Sequence, residues 1–332
     1  MTFNILHISN VFLGKLFPDL GLSGKILREH LRTEFIKRVS DIFYQNEINA
    51  IVICGNLFGT NMFSVKDYQA TRDLFDTLDI PVFILPGQLD EFNDVSIYSK
   101  LEYNEKVQIL KKNFLEYSFN NQEVSIVLLS DNVKEEIKTN PNNFYIFCQN
   151  NPNHQIEGDK VFTLGASEIE FVSGKNLICV PPFDFSVIRE QKESGVGILS
   201  IKEGNFSYRK IEGNYFRHHN LTIDVTGRGK TFIQNILNDY YGENTIVNMV
   251  LKGEINTPEI LDYVTGFYER ERKNFLFMSL QDETVISEEY IERIPNYLES
   301  GIFIKHVKKS FDKNKIEVEK EILKSGINFY EG

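Results

Sequence analysis

The run Ala50–Gly59, AIVICGNLFG, constrains this chain more than any other stretch. Five apolar residues, Ala50 to Cys54, carry no polar alternation, which is the pattern of a strand buried on both faces of an α/β sheet. The run stops at Gly55-Asn56, where glycine lets the backbone turn sharply. In open α/β sheets the loops leaving the carboxyl ends of such strands form the ligand crevice. Two further segments repeat the pattern. Phe3–Ser9 ends in Asn10-Val11-Phe12-Leu13-Gly14, and Val82–Leu85 ends in Pro86-Gly87-Gln88-Leu89-Asp90. Three strand ends therefore deliver Asn10, Asn56, Gln88 and Asp90 toward one place.

Between these strands the spacing changes to helical. Leu16–Lys25 reads as a loop, and Leu27, Leu31, Phe35, Val39, Ile42 and Phe43 then form one stripe of a helix over Leu27–Gln45. A second helix is expected over Val65–Leu78, with Ser64 as its N-cap and Pro81 after its end. Strand–helix–strand–helix–strand order implies a parallel sheet. The pattern weakens over Ile97–Tyr117. Closely spaced strands follow at Val124–Leu129, Tyr145–Cys148, Val161–Leu164, Leu177–Val180 and Val196–Ile201, with a hairpin return at Phe206–Ile211. The fold class expected is α/β in composition, an α+β sandwich of two sheets flanked by helices over residues 1–215. A smaller α/β module follows over 216–285 and a helical segment over 286–332.

Composition enters through partners and compartment. The formal net charge is −11, which argues against a uniformly basic surface but leaves room for a local basic groove. The three cysteines, Cys54, Cys148 and Cys179, lie in apolar runs without paired metal-type spacing and read as buried free thiols of a reducing compartment. No apolar run approaches the roughly 18 residues of a membrane span, and no signal peptide is visible. These features lead us to expect a soluble, cytoplasmic protein with no membrane partner.

The three strand-end frames, in this order, resemble those of the calcineurin-like metallophosphoesterases, and in particular the D subunit of the SbcCD-type double-strand-break repair exonucleases. That family begins with LHxSDxHLG, matched here by Leu6-His7-Ile8-Ser9-Asn10-Val11-Phe12-Leu13-Gly14. Its GDLFD corresponds to Gly55-Asn56-Leu57-Phe58-Gly59, and its PGNHD to Pro86-Gly87-Gln88-Leu89-Asp90. A later GHxH aligns with Gly165-Ala166-Ser167-Glu168, and an upstream histidine with Cys148-Gln149. The resemblance implies a metallophosphoesterase core, a capping module that contacts DNA, C-terminal helices that bind an SMC-like ATPase, and a homodimer. The dimer is implied to form through helices flanking the third motif, corresponding to Val65–Leu78 and Ile97–Tyr117.

The same resemblance implies that the metal ligands have been lost. The family's aspartate ligands, one of which bridges both ions, stand at the Asn10 and Asn56 positions, and its histidines at Phe12, Leu89, Gln149 and Ala166. Its amide ligand stands at Gln88, and Glu168 occupies the last histidine position. Neutral amides offer single carbonyl donors with no charge to offset two divalent cations, and Phe12, Leu89 and Ala166 offer none. Two-metal hydrolysis needs ions about 4 Å apart, so this degenerate pocket is expected to hold no metal and to carry no catalytic residue. The competing reading is a rebuilt site in which Asp90 and Glu168 hold a single weak Mn²⁺ or Mg²⁺ and support nuclease activity. A third is a stand-alone protein-binding module.

Other residues carry plainer readings. His7 reads as a hydrogen-bonded core histidine and His154 as a solvated loop residue. His218-His219 point to opposite faces of a strand and cannot share an ion. Gly227-Arg228-Gly229-Lys230-Thr231 suggests a phosphate loop, but the position five before Gly229 is Asp224, so an ordinary strand–helix turn is expected. Strands at Leu221–Val225, Ile246–Leu251 and Asn274–Leu280, with a helix capped by Thr257-Pro258, form the second module. The tail from Ser287 to Tyr330 reads as basic amphipathic helices that can dock a partner, touch phosphate or cover their own domain, the last being the general expectation; docking of the SMC-like ATPase is what the resemblance implies.

Overall fold

Uninterrupted apolar runs become strands that bury both faces, and the computed structural model shows where each face goes. It describes residues 2–15, 21–60, 64–100, 102–111, 113–119, 123–130, 139–150, 158–167, 172–174, 176–183, 194–213, 217–295, 299–310, 322–327 and 329. Strands β1 (Phe3–Ser9), β2 (Ala50–Gly55) and β3 (Val82–Pro86) lie side by side and parallel. Along β2, Ile51 and Ile53 face the helices α1 (Gly21–Asn46) and α2 (Val65–Leu78), among Phe35, Val39, Ile42, Leu74 and Phe75. Ala50, Val52 and Cys54 face the opposite way, into a second apolar layer. Each buried valine, leucine, isoleucine or phenylalanine among them contributes about 1.5–3 kcal/mol relative to exposure.

That second layer is shared with another sheet. The first sheet runs β12-β11-β1-β2-β3-β4, with β4 at Val107–Ile109, β11 at Gly195–Lys202 and β12 at Asn205–Glu212. The second sheet contains β5 (Phe114–Phe119), β6 (Val124–Leu129), β7 (Phe144–Gln149), β8 (Val161–Ala166), β9 (Val172–Gly174) and β10 (Leu177–Val180), in the order β5-β6-β7-β8-β10-β9. Ile126, Leu128, Ile146, Cys148 and Leu164 meet Ile5, Val52, Phe83 and Leu85 between the sheets. The result is an α+β sandwich of two mixed sheets with helices on the outer face of the first.

The helix pair is fixed by one buried carboxylate. Ser64 caps α2 in a reciprocal box with Asp67, whose backbone N–H donates to the Ser64 hydroxyl at 3.2 Å. Asp67 is fully buried and accepts from the guanidinium groups of Arg28 and Arg32 of α1, the latter at 3.1 Å. One side chain thus ends one helix and joins it to the other.

The chain divides near residue 215 into two compact units. In the second, β13 (Arg217–Asp224), β14 (Gly242–Ile255) and β15 (Phe275–Ile286) form a parallel three-stranded sheet. Helix α3 (Lys230–Asn238) connects the first pair; α4 (Pro258–Thr265) and α5 (Phe267–Glu271) connect the second. Thr257 caps α4 with Pro258 in its first turn. Helices α6 (Glu288–Arg293) and α7 (Glu299–Ser310) follow, and Ile304, Val307, Leu323 and Ile327 pack into the same core as the sheet. The tail therefore covers its own module.

Several boundaries differ from expectation. The first helix begins at Gly21, inside the stretch read as loop, although its first turn holds two glycines. The described residues of 97–117 hold no long helix: a short 3₁₀ turn at Ile97–Ser99 gives way to β4 and β5. The second half of the expected helical dimer surface is therefore strand. Strand β14 continues past Leu251 through Lys252-Gly253-Glu254, since its ladder with β15 runs on to Ile255↔Ile286.

Candidate functional site

The three strand tips lie level with one another. Ser9 pairs with Cys54, and Gly55 with Pro86. Beyond them the loop after β1 runs along the loop after β2. Asn10 N donates to Cys54 O at 3.2 Å, Phe12 N to Asn56 O at 3.1 Å, Leu13 N to Leu57 O at 3.0 Å and Gly14 N to Phe58 O at 2.8 Å. From the second sheet, Gln149 and Ala166 end β7 and β8, where Gln149 pairs with Gly165.

The amides at the tips bond to each other and to the backbone. Asn10 Oδ1 accepts from both the backbone N–H and the side-chain amide of Asn56, each at 3.1 Å. Asn10 Nδ2 donates to Ser167 O at 3.3 Å, and Asn56 Oδ1 accepts from Leu89 N at 2.9 Å. One relay thus runs from β8 through Asn10 and Asn56 to the loop after β3. Glycines make room for it. Gly55 adopts φ +86°, and a Cβ there would stand 2.4 Å from Asn10 Oδ1; a Cβ on Gly87 would stand 2.4 Å from Asn56 Oδ1.

The backbone itself is strained at the first tip. Asn10 and Phe12 both take left-handed conformations, with φ of 45° and 57°. Asparagine tolerates this region, whereas an aromatic residue there is uncommon and costs of order 1–3 kcal/mol. The hydrogen bond from Phe12 N to Asn56 O holds the conformation. The Phe12 ring lies against Gly59, with the Lys15 ammonium 5.9 Å from its centroid. Burial lowers the Lys15 pKa below the usual lysine range.

Asp90 does not face an open pocket. Its Oδ2 accepts from Phe58 N at 2.8 Å, Gly59 N at 3.1 Å and the Tyr98 hydroxyl at 3.2 Å; Oδ1 accepts from Gly87 N at 2.9 Å. The residue is 0% exposed. Burial pushes its carboxyl above the ordinary aspartate value, against the pull of those three N–H groups and the Tyr98 hydroxyl. The carboxylate expected to anchor a rebuilt ion site is instead the pin that ties the second and third loops together. Its proposed companion, Glu168, lies outside the described residues.

The remaining positions fall as follows. Gln88 and Leu89 point outward, Leu89 with 56% of its surface exposed. Gln149 is buried, and Ala166 is half-buried beside Gly55. The divalent-ion fit is poor on this donor set. Both Asn10 and Asn56 carbonyl oxygens already accept N–H groups, and both Asp90 oxygens are taken. Among the described residues, no group of three or more His, Cys, Asp and Glu side chains is placed to hold an ion.

Two contributors escaped the sequence reading. The Ser167 carbonyl receives Asn10, and Asn150 Nδ2 donates to Pro86 O at 2.7 Å, tying the second sheet to β3. Asn150 also lines a cleft of about 310 Å³ with Gly87, Gln88, Glu91, Phe92 and Lys111. Each adjoins a motif position in sequence, which is the signal that could have found them.

Elsewhere, His7 is fully buried with Nδ1 3.3 Å from the Tyr208 hydroxyl, as a core histidine. Cys54, Cys148 and Cys179 are buried and free. Hydrogen bonding to Cys148, together with burial, pushes the Cys54 thiol well up, and burial lifts Cys179 to about 11. Gly229 caps α3 without a side-chain bond, and nothing lies within 4 Å of a Cβ placed on Gly227 or Gly229, so this segment is an open turn. His154 lies outside the described residues. No helix among the described residues is long and apolar enough to cross a membrane. No protein-family model matches the sequence, and no curated protein matches it either.

Proposed function

We propose that this chain is a non-catalytic, SbcD-like subunit that uses a nuclease-type sandwich as a scaffold for DNA and an SMC-like ATPase, in repair or defence. The observation that carries the reading is the closed relay from Ser167 through Asn10 and Asn56 to Leu89. Neutral amides hold the three loops together at the positions where the family resemblance places ions. Such a lattice needs no counter-charge, whereas two divalent ions need several anionic donors. The left-handed backbone at Asn10 and Phe12 supports the same reading, because strain persists where surrounding contacts over-determine a site. On this reading the tail, whose Ile304, Val307, Leu323 and Ile327 pack on its own module, docks the ATPase through its opposite face, and the subunit acts as a homodimer.

The rival, an active Mn²⁺-dependent nuclease built on Asp90, has its carboxylate already committed to four donors. The scaffold reading is tested with the full chain and a linear duplex. Binding that weakens steeply with salt, without cleavage in Mn²⁺, supports it. Co-purification of an SMC-like ATPase encoded beside it supports the partner assignment. Metal-dependent cleavage abolished by Asp90→Asn overturns the non-catalytic assignment, and salt-insensitive binding overturns phosphate contact.

A further inference from the structure

The stretch expected to supply a dimer helix ends instead in an edge strand. Among the described residues no strand pairs with the outer side of β5; its one partner is β6. Natural edge strands are blunted by lysine, proline, bulges or brevity. Phe114-Leu115-Glu116-Tyr117-Ser118-Phe119 has six residues in regular register, no lysine or proline, and a single charge. It is also incompletely covered. Phe114 is 43% and Tyr117 37% exposed, although Leu115 and Phe119 pack on the layer between the sheets and the Tyr117 ring lies 5.3 Å from Phe83.

We propose that β5 pairs antiparallel with β5 of a second copy of this chain about a two-fold axis. Residues directly opposite in such a pair share a face, so only two registers place most of the strand. Centring on Glu116 sets two carboxylates against each other, which is destabilising. Centring on Tyr117 sets Glu116 opposite Ser118 of the second copy and Leu115 opposite its Phe119, with the two tyrosines on the axis. Leu115, Tyr117 and Phe119 then continue the apolar inner layer across the junction. The charge pattern thus selects one self-complementary register, as an isologous interface requires.

A six-residue strand alone is small for a stable dimer. Beside it lies a cleft of about 660 Å³ in which apolar side chains, Tyr103, Val107 and Phe114 among them, are joined by Glu102, Gln108 and Lys111, so the same edge adds a mixed polar and apolar surface. The proposal names an interface for the homodimer of the scaffold reading and rests on that part of it; a dimer that fails to cross-link through position 117 overturns the interface alone, whereas a monomer overturns the homodimer as well and leaves the non-catalytic assignment standing.

The test is sedimentation equilibrium of the full chain over about 1–100 µM, the range of modest interfaces. The expected result is a concentration-dependent dimer. Ser118→Glu, on an exposed polar position, opposes Glu116 of the second copy twice and weakens the dimer about tenfold; Ser118→Lys pairs with it and tightens the dimer. Tyr117→Cys cross-links to itself under mild oxidation, whereas Glu116→Cys does not, because its mate lies diagonally and out of disulfide range. A wild-type monomer throughout the range overturns the proposal. So does an equal shift from both Ser118 variants, or a dimer that fails to cross-link through position 117.

Discussion

Replacing Asp90 by Ala separates a structural pin from a metal ligand. The substitution leaves three backbone N–H groups, those of Phe58, Gly59 and Gly87, and the Tyr98 hydroxyl without their acceptor in a fully buried place. A buried donor stripped of its partner costs about 1–3 kcal/mol. Four such losses do not add, because the Tyr98 hydroxyl can rotate and removing the charge relieves its own desolvation. The net loss is about 3–5 kcal/mol, the range for breaking one side of a buried charged network. In a unit of this size each kcal/mol lowers Tm by about 2–4 °C, so a fall of about 10 °C is expected. Asp90→Asn keeps one acceptor but turns an NH₂ toward N–H donors, and loses nearly as much. Urea unfolding followed by far-UV circular dichroism, in EDTA and in Mn²⁺, measures this. The loss is expected to be the same in both. A destabilisation below about 1 kcal/mol, or one seen only in Mn²⁺, refutes the reasoning.

Other outcomes follow from the same geometry. Asp67→Ala removes the acceptor for both Arg28 and Arg32 and half of the α2 capping box, and is expected to cost about 3–5 kcal/mol in chemical denaturation. The three buried thiols are expected to react with an aromatic disulfide reagent only after denaturation, since the hydrogen bond with Cys148 and burial raise the pKa of Cys54 and burial raises that of Cys179; rapid labelling of the native chain contradicts this. Burial, helped by Arg217, lowers the His219 pKa below 6.5. The unfolded chain therefore binds the proton first, and the stability that neutral His219 contributes is present above pH 6.5 and lost as pH falls through its folded value. His219→Gln is expected to flatten that slope in urea titrations at stepped pH.

What the sequence made legible was what burial on two faces forces. Ala50–Cys54 is a strand because a continuous apolar run has no other place to go, Phe3–Ser9 and Val124–Leu129 are strands because their runs are mostly apolar, and Ser64 marks its helix by chemistry local to four residues. Strand β5 escaped because an edge is half-solvated and its burial follows no clean alternation. The site shows the same division. Asn10 and Asn56 could be placed at one crevice from their strand ends alone. That they bond to each other depends on side-chain direction across loops 46 residues apart, which periodicity does not encode. Asp90 was assigned to the pocket for the same reason: three N–H groups from two separate loops converge on it only once the chain is folded.

The central claim is that hydrogen-bonded amides, not cations, join the strand tips. Anomalous scattering from a crystal soaked in Mn²⁺ tests it most directly. The account predicts no manganese peak at Asn10, Asn56 and Asp90, with the Asn10–Asn56–Leu89 relay intact. A pair of peaks about 4 Å apart among those side chains contradicts it.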